Sequence, residues 1–185
     1  MHASCGARTR YEHPSPFSPI FLDLRPVRGM TNEEISPEVA RIRSVALTNS
    51  ICLSSARGDV QQLRALTAQA GADVNAPGTV ESGGGLHSPL FHAVAAGQAA
   101  SLRVLVGSGA RLFDHATTGS HQLIHLAASR GHVEVLRVLV DLGVSANTRG
   151  RGGTTALHVA ARRGHVECVH ALVQLGAQPN SQTIQ

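Results

Sequence analysis

Apolar residues in the middle of the chain recur at helical spacing on both sides of a glycine. In residues 122–147 they lie three or four positions apart before and after Gly131. This spacing predicts two amphipathic helices. A glycine tolerates positive φ because it has no Cβ, so Gly131 is predicted to end the first helix and Gly143 the second. The segment is therefore predicted to be a helical hairpin.

The same pattern returns at a fixed interval. Residues 88–110 and 155–180 align with residues 122–147 on the glycines that end the helices. The hairpin glycines Gly97, Gly131 and Gly164 lie 34 and 33 residues apart. A weaker copy surrounds Gly58. An interval of this length predicts a repeat protein in which each unit buries its apolar surface against its neighbours.

The residues that open each hairpin carry a family resemblance. They read SPLFHA at 88–93, LIHLAA at 123–128 and TALHVAA at 155–161. A period of about 33 residues with T-P-L-H-x-A at the start of the hairpin is the ankyrin signature. The chain therefore resembles the ankyrin-repeat family. The resemblance implies an all-α fold, a solenoid of stacked helical hairpins with β-turn fingers, with four ankyrin repeats at about 48–75, 84–113, 118–147 and 151–180.

Two different segments precede the repeats. Residues 1–34 contain several prolines and no helical period, so they are predicted to be a disordered tail. The apolar stretch 17–24 within it could dock on a partner, although a chance cluster is the simpler interpretation. Ser36 is a favourable N-cap and Pro37 a favourable first helical residue. Residues 35–47 are therefore predicted to form an N-terminal capping helix that covers the first repeat.

The repeat pattern is irregular at the finger before the second repeat and at the end of the last repeat, and each irregularity has more than one interpretation. The finger at residues 76–86 is enlarged and contains three consecutive glycines, which suits either a binding insertion or a flexible loop. At the other end, Val166 and Val173 repeat the pattern of an internal unit, but only the tail 181–185 follows. Either this apolar side is tolerated, or it meets a partner, or the chain is a truncated form of a longer protein.

The composition bears on whether the chain binds nucleic acid, holds a metal through cysteines or spans a membrane. All 16 basic residues are arginine, and a net charge of +4 does not by itself imply nucleic acid. Cys5, Cys52 and Cys168 lack the spacing of a metal site, and the last two are predicted to be buried. No apolar segment is long enough to span a membrane, so the expected location is the cytoplasm, the nucleus or both.

Eleven histidines suggest metal or catalytic chemistry, but their positions do not support it. The resemblance implies that His125 and His158 bond to backbone and tie adjacent fingers together. His121 and His125 are one helical turn apart without a third ligand. The acidic residues form no predicted catalytic pair. The sequence therefore predicts no enzyme activity and no catalytic, cofactor or metal site.

The resemblance places partner binding on the concave face, at the finger tips and the two positions before each hairpin glycine. The candidate binding residues there are Arg57, His87, His121, Arg130, Arg149, Arg151, Thr154, Arg162 and Arg163. Six are arginines and none is acidic. Because arginine pairs with carboxylates through two parallel bonds, the predicted partner is a protein with an acidic segment. Nucleic acid is the weaker alternative, since aromatic residues do not alternate with the arginines.

Three roles fit such a surface. The first is a monomeric, non-catalytic interaction module that serves as scaffold, adaptor or inhibitor. The others are the substrate-recognition part of a ubiquitin-ligase adaptor and a regulatory fragment of a longer ankyrin-containing protein. The fold alone does not choose among them, because one fold serves many pathways.

Overall fold

The computed structural model describes residues 37–79, 86–112 and 120–181. Within these ranges the chain forms eight α-helices, one short 3-10 helix at Arg151–Gly153 and a single isolated β-bridge between Gly78 and His87. The helices are α1 (Pro37–Arg57), α2 (Val60–Thr67), α3 (Pro89–Ala95), α4 (Ala99–Gly107), α5 (Ser120–Arg130), α6 (Val133–Asp141), α7 (Ala156–Arg163) and α8 (Val166–Gln174). The predicted all-α fold is confirmed. The tail predicted at residues 1–34 lies outside the described residues.

The helices pair into four hairpins that stack side by side. The first helices α1, α3, α5 and α7 contact one another in sequence, and the second helices α2, α4, α6 and α8 form a parallel layer behind them. Each second helix contributes a fully buried leucine, at Leu63, Leu102, Leu136 and Leu172. The core therefore runs along the stack, as expected for repeats that bury apolar surface against their neighbours.

The last hairpin shows why the chain turns where it does. Thr155 precedes α7, and Nδ1 of His158 accepts the Thr155 backbone N–H at 3.2 Å, which satisfies a donor at the helix start. Gly164 ends the helix with φ of 75°, a left-handed conformation that strains residues with a Cβ. The sequence pattern of a capped start and a glycine end therefore produces the predicted hairpin.

Asparagine side chains connect neighbouring hairpins at the turns that follow the second helices. Asn75 Nδ2 donates to the Gly109 carbonyl at 3.4 Å, and Asn75 Oδ1 accepts the Arg111 N–H at 2.8 Å. Asn147 makes the equivalent two bonds to the fourth hairpin, at 2.9 and 2.7 Å. Each asparagine thus satisfies backbone groups of the next repeat and stabilises the stack.

The N-terminal helix differs from the prediction. Helix α1 runs without interruption from Pro37 to Arg57, so residues 37–47 are continuous with the first helix of the first repeat. Polar residues near the predicted boundary do not end the helix, because Thr48 and Ser50 donate their hydroxyls to carbonyls four residues earlier. Val39 and Ile42 are 54% and 62% exposed, so this extension does not cover the first repeat as expected.

The last hairpin exposes an apolar side. Val166 and Val173 are among the most exposed large apolar residues, whereas their counterparts Val133 and Val140 in the third hairpin pack against the core. The fourth hairpin covers the third, and the described residues after α8 do not cover the fourth. Among the described helices, none has the length and apolar character needed to cross a lipid bilayer.

Candidate functional site

The C-terminal ends of the four first helices form one exposed surface, which we call the first-helix face. It comprises the two residues before each hairpin glycine, namely Ala56 and Arg57, Ala95 and Ala96, Ser129 and Arg130, and Arg162 and Arg163. The second residue of each pair is exposed, and Arg162 is exposed as well. Because the first helices pack as neighbours, these positions follow one another along the stack at intervals of about 8–10 Å.

Histidines hold this row in register. The ring Nε2 of His132 lies 3.2 Å from the Ala95 carbonyl, and the ring Nε2 of His165 lies 3.1 Å from the Ser129 carbonyl. Each ring also packs against the hairpin glycine of the preceding repeat, where a Cβ on Gly97 would lie 2.8 Å from His132 Nδ1. The ends of the first helices are therefore fixed relative to one another by side chains as well as by the core.

Arginines dominate the charge of the first-helix face. Arg130 donates from Nη1 to the Ala95 carbonyl at 2.7 Å, so its guanidinium lies over the end of α3 in the preceding repeat. Arg57, Arg162 and Arg163 are exposed and form no ion pair with any described residue. These three cations are thus available to a ligand without breaking an ion pair to a described residue.

The described acidic groups that pair with arginine lie in the second-helix layer. Asp141 in α6 accepts Arg103 at 3.2 Å, and Glu134 lies 3.9 Å from Arg137 on the same helix. Helices α3, α5 and α7 contain no acidic residue. The positive charge on the first-helix face of the third and fourth hairpins is therefore not neutralised by carboxylates on α3, α5 or α7.

An aromatic stack lies at the start of α3 in the second repeat. The His87 and Phe91 rings are stacked with centroids 4.0 Å apart, and the His92 ring meets both edge-on. Burial lowers the pKa of His92 and the nearby His87 lowers it further, although its bond to the Gly78 carbonyl at 3.3 Å acts in the opposite direction. His92 is therefore a neutral, structural residue at neutral pH.

The two histidines at the T-P-L-H position have structural partners. His125 Nε2 lies 2.9 Å from the Thr154 carbonyl, which belongs to the finger of the next repeat. His158 Nδ1 instead accepts the Thr155 N–H and so caps its own helix. The implied role of tying adjacent fingers is confirmed for His125, whereas His158 acts within its own repeat.

The nine candidate residues do not form one uniform surface. Arg57, Arg130, Arg162 and Arg163 lie in the row at the ends of the first helices. Arg149 is exposed in the finger before α7, where the half-buried Thr154 accepts the Gly150 N–H at 2.7 Å through its carbonyl. His87 belongs to the aromatic stack. The side chains of His121 and Arg151 lie outside the described part of the structure.

The sequence pattern did not identify Phe91 as part of an aromatic stack or the Ala95 carbonyl as a hydrogen-bond acceptor. Phe91 occupies the position of the T-P-L-H histidine, and this departure from the family pattern was the available signal. The Ala95 carbonyl accepts both Arg130 and His132, which no sequence pattern indicates because the acceptor is backbone. These contacts place an arginine of one repeat over the end of the helix that carries Phe91 in the previous one.

The thiols and the metal-ligand residues give no further site within the described ranges. No three or more His, Cys, Asp and Glu side chains there lie close enough together to hold a metal ion. Cys52 and Cys168 are buried and free, as predicted. Burial raises the pKa of Cys52 to about 11 despite a bond to the Gly78 backbone, so the thiol is protonated at neutral pH.

Comparison with known proteins identifies the same kind of repeat that the stacked helical hairpins show. A family model of ankyrin repeats, in 3 copies, matches residues 90–183, which is half of the chain. No curated protein matches the sequence.

Proposed function

Because the chain belongs to the ankyrin-repeat family, whose repeats are generally protein–protein interaction modules, we propose that it binds an acidic protein segment on the first-helix face. The observation that carries this proposal is the row formed by Arg57, Arg130, Arg162 and Arg163. None of the four pairs with a described carboxylate, and α3, α5 and α7 contribute no acid to the row.

The chemistry of arginine supports a carboxylate partner. Its planar guanidinium bonds carboxylates through two parallel N–H groups. Arg130 is already held by the Ala95 carbonyl, so less side-chain entropy is lost when it pairs. Each exposed pair contributes only about 0.2–1 kcal/mol, so useful affinity needs several carboxylates at once. Binding should also weaken as salt screens the charges.

The spacing of the row favours an extended partner segment. Successive first helices lie about 8–10 Å apart, and an extended chain advances about 3.3 Å per residue. Carboxylates about three residues apart would therefore meet Arg130 and Arg163 of the third and fourth hairpins, and a carboxylate about six residues from the one at Arg130 would meet Arg57 of the first. The same mode of binding serves a scaffold, an adaptor or an inhibitor, and it needs only one copy of the chain.

A charge-reversal experiment tests the proposal. The site variant replaces Arg57, Arg130, Arg162 and Arg163 with glutamate. The matched control makes the same change at Arg41, Arg43, Arg64 and Arg111, which are exposed outside the row. The probe is a fluorescein-labelled peptide with glutamate at every third position and serine between, and its binding is followed by fluorescence polarisation after thermal melts show that the variants are folded.

We expect the wild-type protein and the control to bind the probe with similar affinity, and the site variant to lose at least about tenfold, equivalent to about 1.4 kcal/mol. Raising the salt concentration should weaken the wild-type complex. Equal losses in both variants would show that net charge, and not this row, attracts the peptide. Unchanged binding in the site variant would refute the proposal.

A further inference from the structure

The second repeat interrupts the basic row with uncharged residues. Ala95 and Ala96 stand where the third and fourth repeats carry Ser129 and Arg130, and Arg162 and Arg163. Ala96 is exposed and Ala95 is half-buried, so neither side chain projects far above the helix. One helical turn before Ala95, on the same side of α3, lies the aromatic ring of Phe91. The row therefore contains an apolar gap next to an aromatic side chain.

The aromatic stack beside this gap is held by backbone bonds. The Gly78 and His87 backbones exchange two hydrogen bonds of 3.0 and 3.2 Å, which pair these two positions of the finger. The buried His92 ring, which belongs to α3, lies with its Nε2 3.3 Å from the Gly78 carbonyl and so ties the finger to that helix. His87 and Phe91 are each only partly buried, so their stack borders the surface. A ligand would thus meet a preformed ring pair.

Arg130 brings a positive charge to the end of the helix that carries Phe91. Its Nη1 lies 2.7 Å from the Ala95 carbonyl, one turn of α3 beyond Phe91. One helical turn is about 5.4 Å. Phe91 and the Ala95 carbonyl that holds Arg130 therefore lie about one turn apart along α3, although the arginine belongs to the next repeat.

We infer that the second repeat selects an apolar side chain, best an aromatic one, in the acidic segment bound by the row. This inference rests on the proposed function and adds specificity to it. Side chains two residues apart in an extended segment point the same way and lie about 7 Å apart. A segment with an aromatic residue about two positions from an acidic residue therefore matches the His87–Phe91 stack and Arg130 together.

Single-stranded nucleic acid is the competing ligand, because bases also stack on aromatic rings and phosphates also bind arginine. A stacking channel usually presents successive aromatic side chains along the basic groove. Of the described first helices α3, α5 and α7, only α3 carries a Phe, Tyr or Trp, and it forms one such stack in the second repeat. The observations therefore favour one aromatic anchor within an acidic peptide.

Selection from a library of short random peptides displays the specificity directly. The wild-type protein should enrich peptides with several acidic residues and an aromatic residue about two positions from one of them. The variant His87→Ala should still enrich acidic residues but lose the aromatic preference. The matched control Val166→Ala removes an exposed apolar side chain at the far end of the stack and should select as the wild type does.

Two synthetic peptides then measure the effect. They share their acidic residues and differ by phenylalanine or serine at the anchor position. We expect the phenylalanine peptide to bind the wild type about tenfold more tightly, the scale of a well-placed aromatic contact. The two peptides should bind His87→Ala nearly equally. Phe91→Leu, which preserves most of the core volume, should also reduce the ratio if His87→Ala proves unstable.

The outcomes separate the inference from the function on which it rests. If peptides are selected for acidity alone, or if the tenfold ratio persists in His87→Ala and Phe91→Leu, the aromatic anchor is refuted and the acidic-segment proposal stands. If the selected peptides show no preference for acidic residues, both the aromatic anchor and the acidic-segment proposal are refuted. Tighter binding of a labelled single-stranded oligothymidylate than of either peptide, lost in His87→Ala, would replace the peptide with nucleic acid as the ligand.

Discussion

Replacing Gly97 with alanine tests how the hairpins are held in register. Gly97 has φ of 76°, and a Cβ at this position would lie 2.8 Å from Nδ1 of His132, which is closer than real Cβ atoms approach. Gly164 provides a matched control, because its φ is 75° and a Cβ there would meet nothing within 4 Å. The two substitutions share the backbone strain and differ in the contact with the next repeat.

The expected magnitudes follow from these contacts. Positive φ costs an alanine about 1–2 kcal/mol relative to glycine, and both variants should show this loss. In Gly97→Ala the His132 ring must also move, which weakens its bond to the Ala95 carbonyl at 3.2 Å. A typical hydrogen bond contributes about 0.5–1.5 kcal/mol. We therefore expect Gly97→Ala to lower the free energy of unfolding by about 1 kcal/mol more than Gly164→Ala.

Urea denaturation followed by circular dichroism measures the difference, and a double-mutant cycle assigns its cause. In a His132→Ala background the obstructing ring is absent. There, Gly97→Ala should lower the free energy of unfolding by no more than Gly164→Ala lowers it in the wild-type protein. The non-additivity of about 1 kcal/mol is the signature of direct contact. Equal costs for the two glycines in the wild type, or strict additivity with His132→Ala, would refute the reasoning.

Three further predictions concern groups away from this contact. Asn147→Ala should lower stability in urea by about 1–3 kcal/mol, because two backbone groups of the fourth hairpin lose their partner, whereas exposed Asn180→Ala should be nearly neutral. Because the pKa of folded His92 is lowered from 6.5, the unfolded state binds the proton more readily, so stability should fall as pH drops below about 6.5. Thermal melts measured at several pH values should show that the melting temperature decreases less at low pH in His92→Gln than in the wild-type protein. Cys52 should resist iodoacetamide at pH 8 in the native protein and react in urea, as peptide mass spectrometry would show, because burial raises its pKa to about 11.

Much of the fold was predictable because each repeat carries local signals. Gly164 ends α7 in the left-handed conformation that glycine adopts readily, and the apolar spacing of a segment such as 133–140 predicts the buried side of its helix. The boundary placed after residue 47 was less accurate. Nothing in the local sequence distinguishes two abutting helices from one continuous helix, and the hydroxyls of Thr48 and Ser50 are satisfied inside α1.

The candidate site was predictable only in part. The positions before the hairpin glycines correctly located exposed arginines, because the repeat fixes where a side chain lies on its helix. The sequence did not indicate that Arg130 reaches the Ala95 carbonyl, since a backbone acceptor has no sequence signature. The stack of His87 on Phe91 depends on how the finger folds back onto α3.

The sequence by itself determined the repeat, the hairpins, the arginine content and the buried faces, because these depend on residue type and on short-range periodicity. The tertiary structure decided which repeats touch through which atoms. Contacts such as His132 with Gly97, or Asn147 with the fourth hairpin, join residues more than 25 positions apart. Their geometry follows from the rotation and spacing of stacked helices, which the local pattern does not contain.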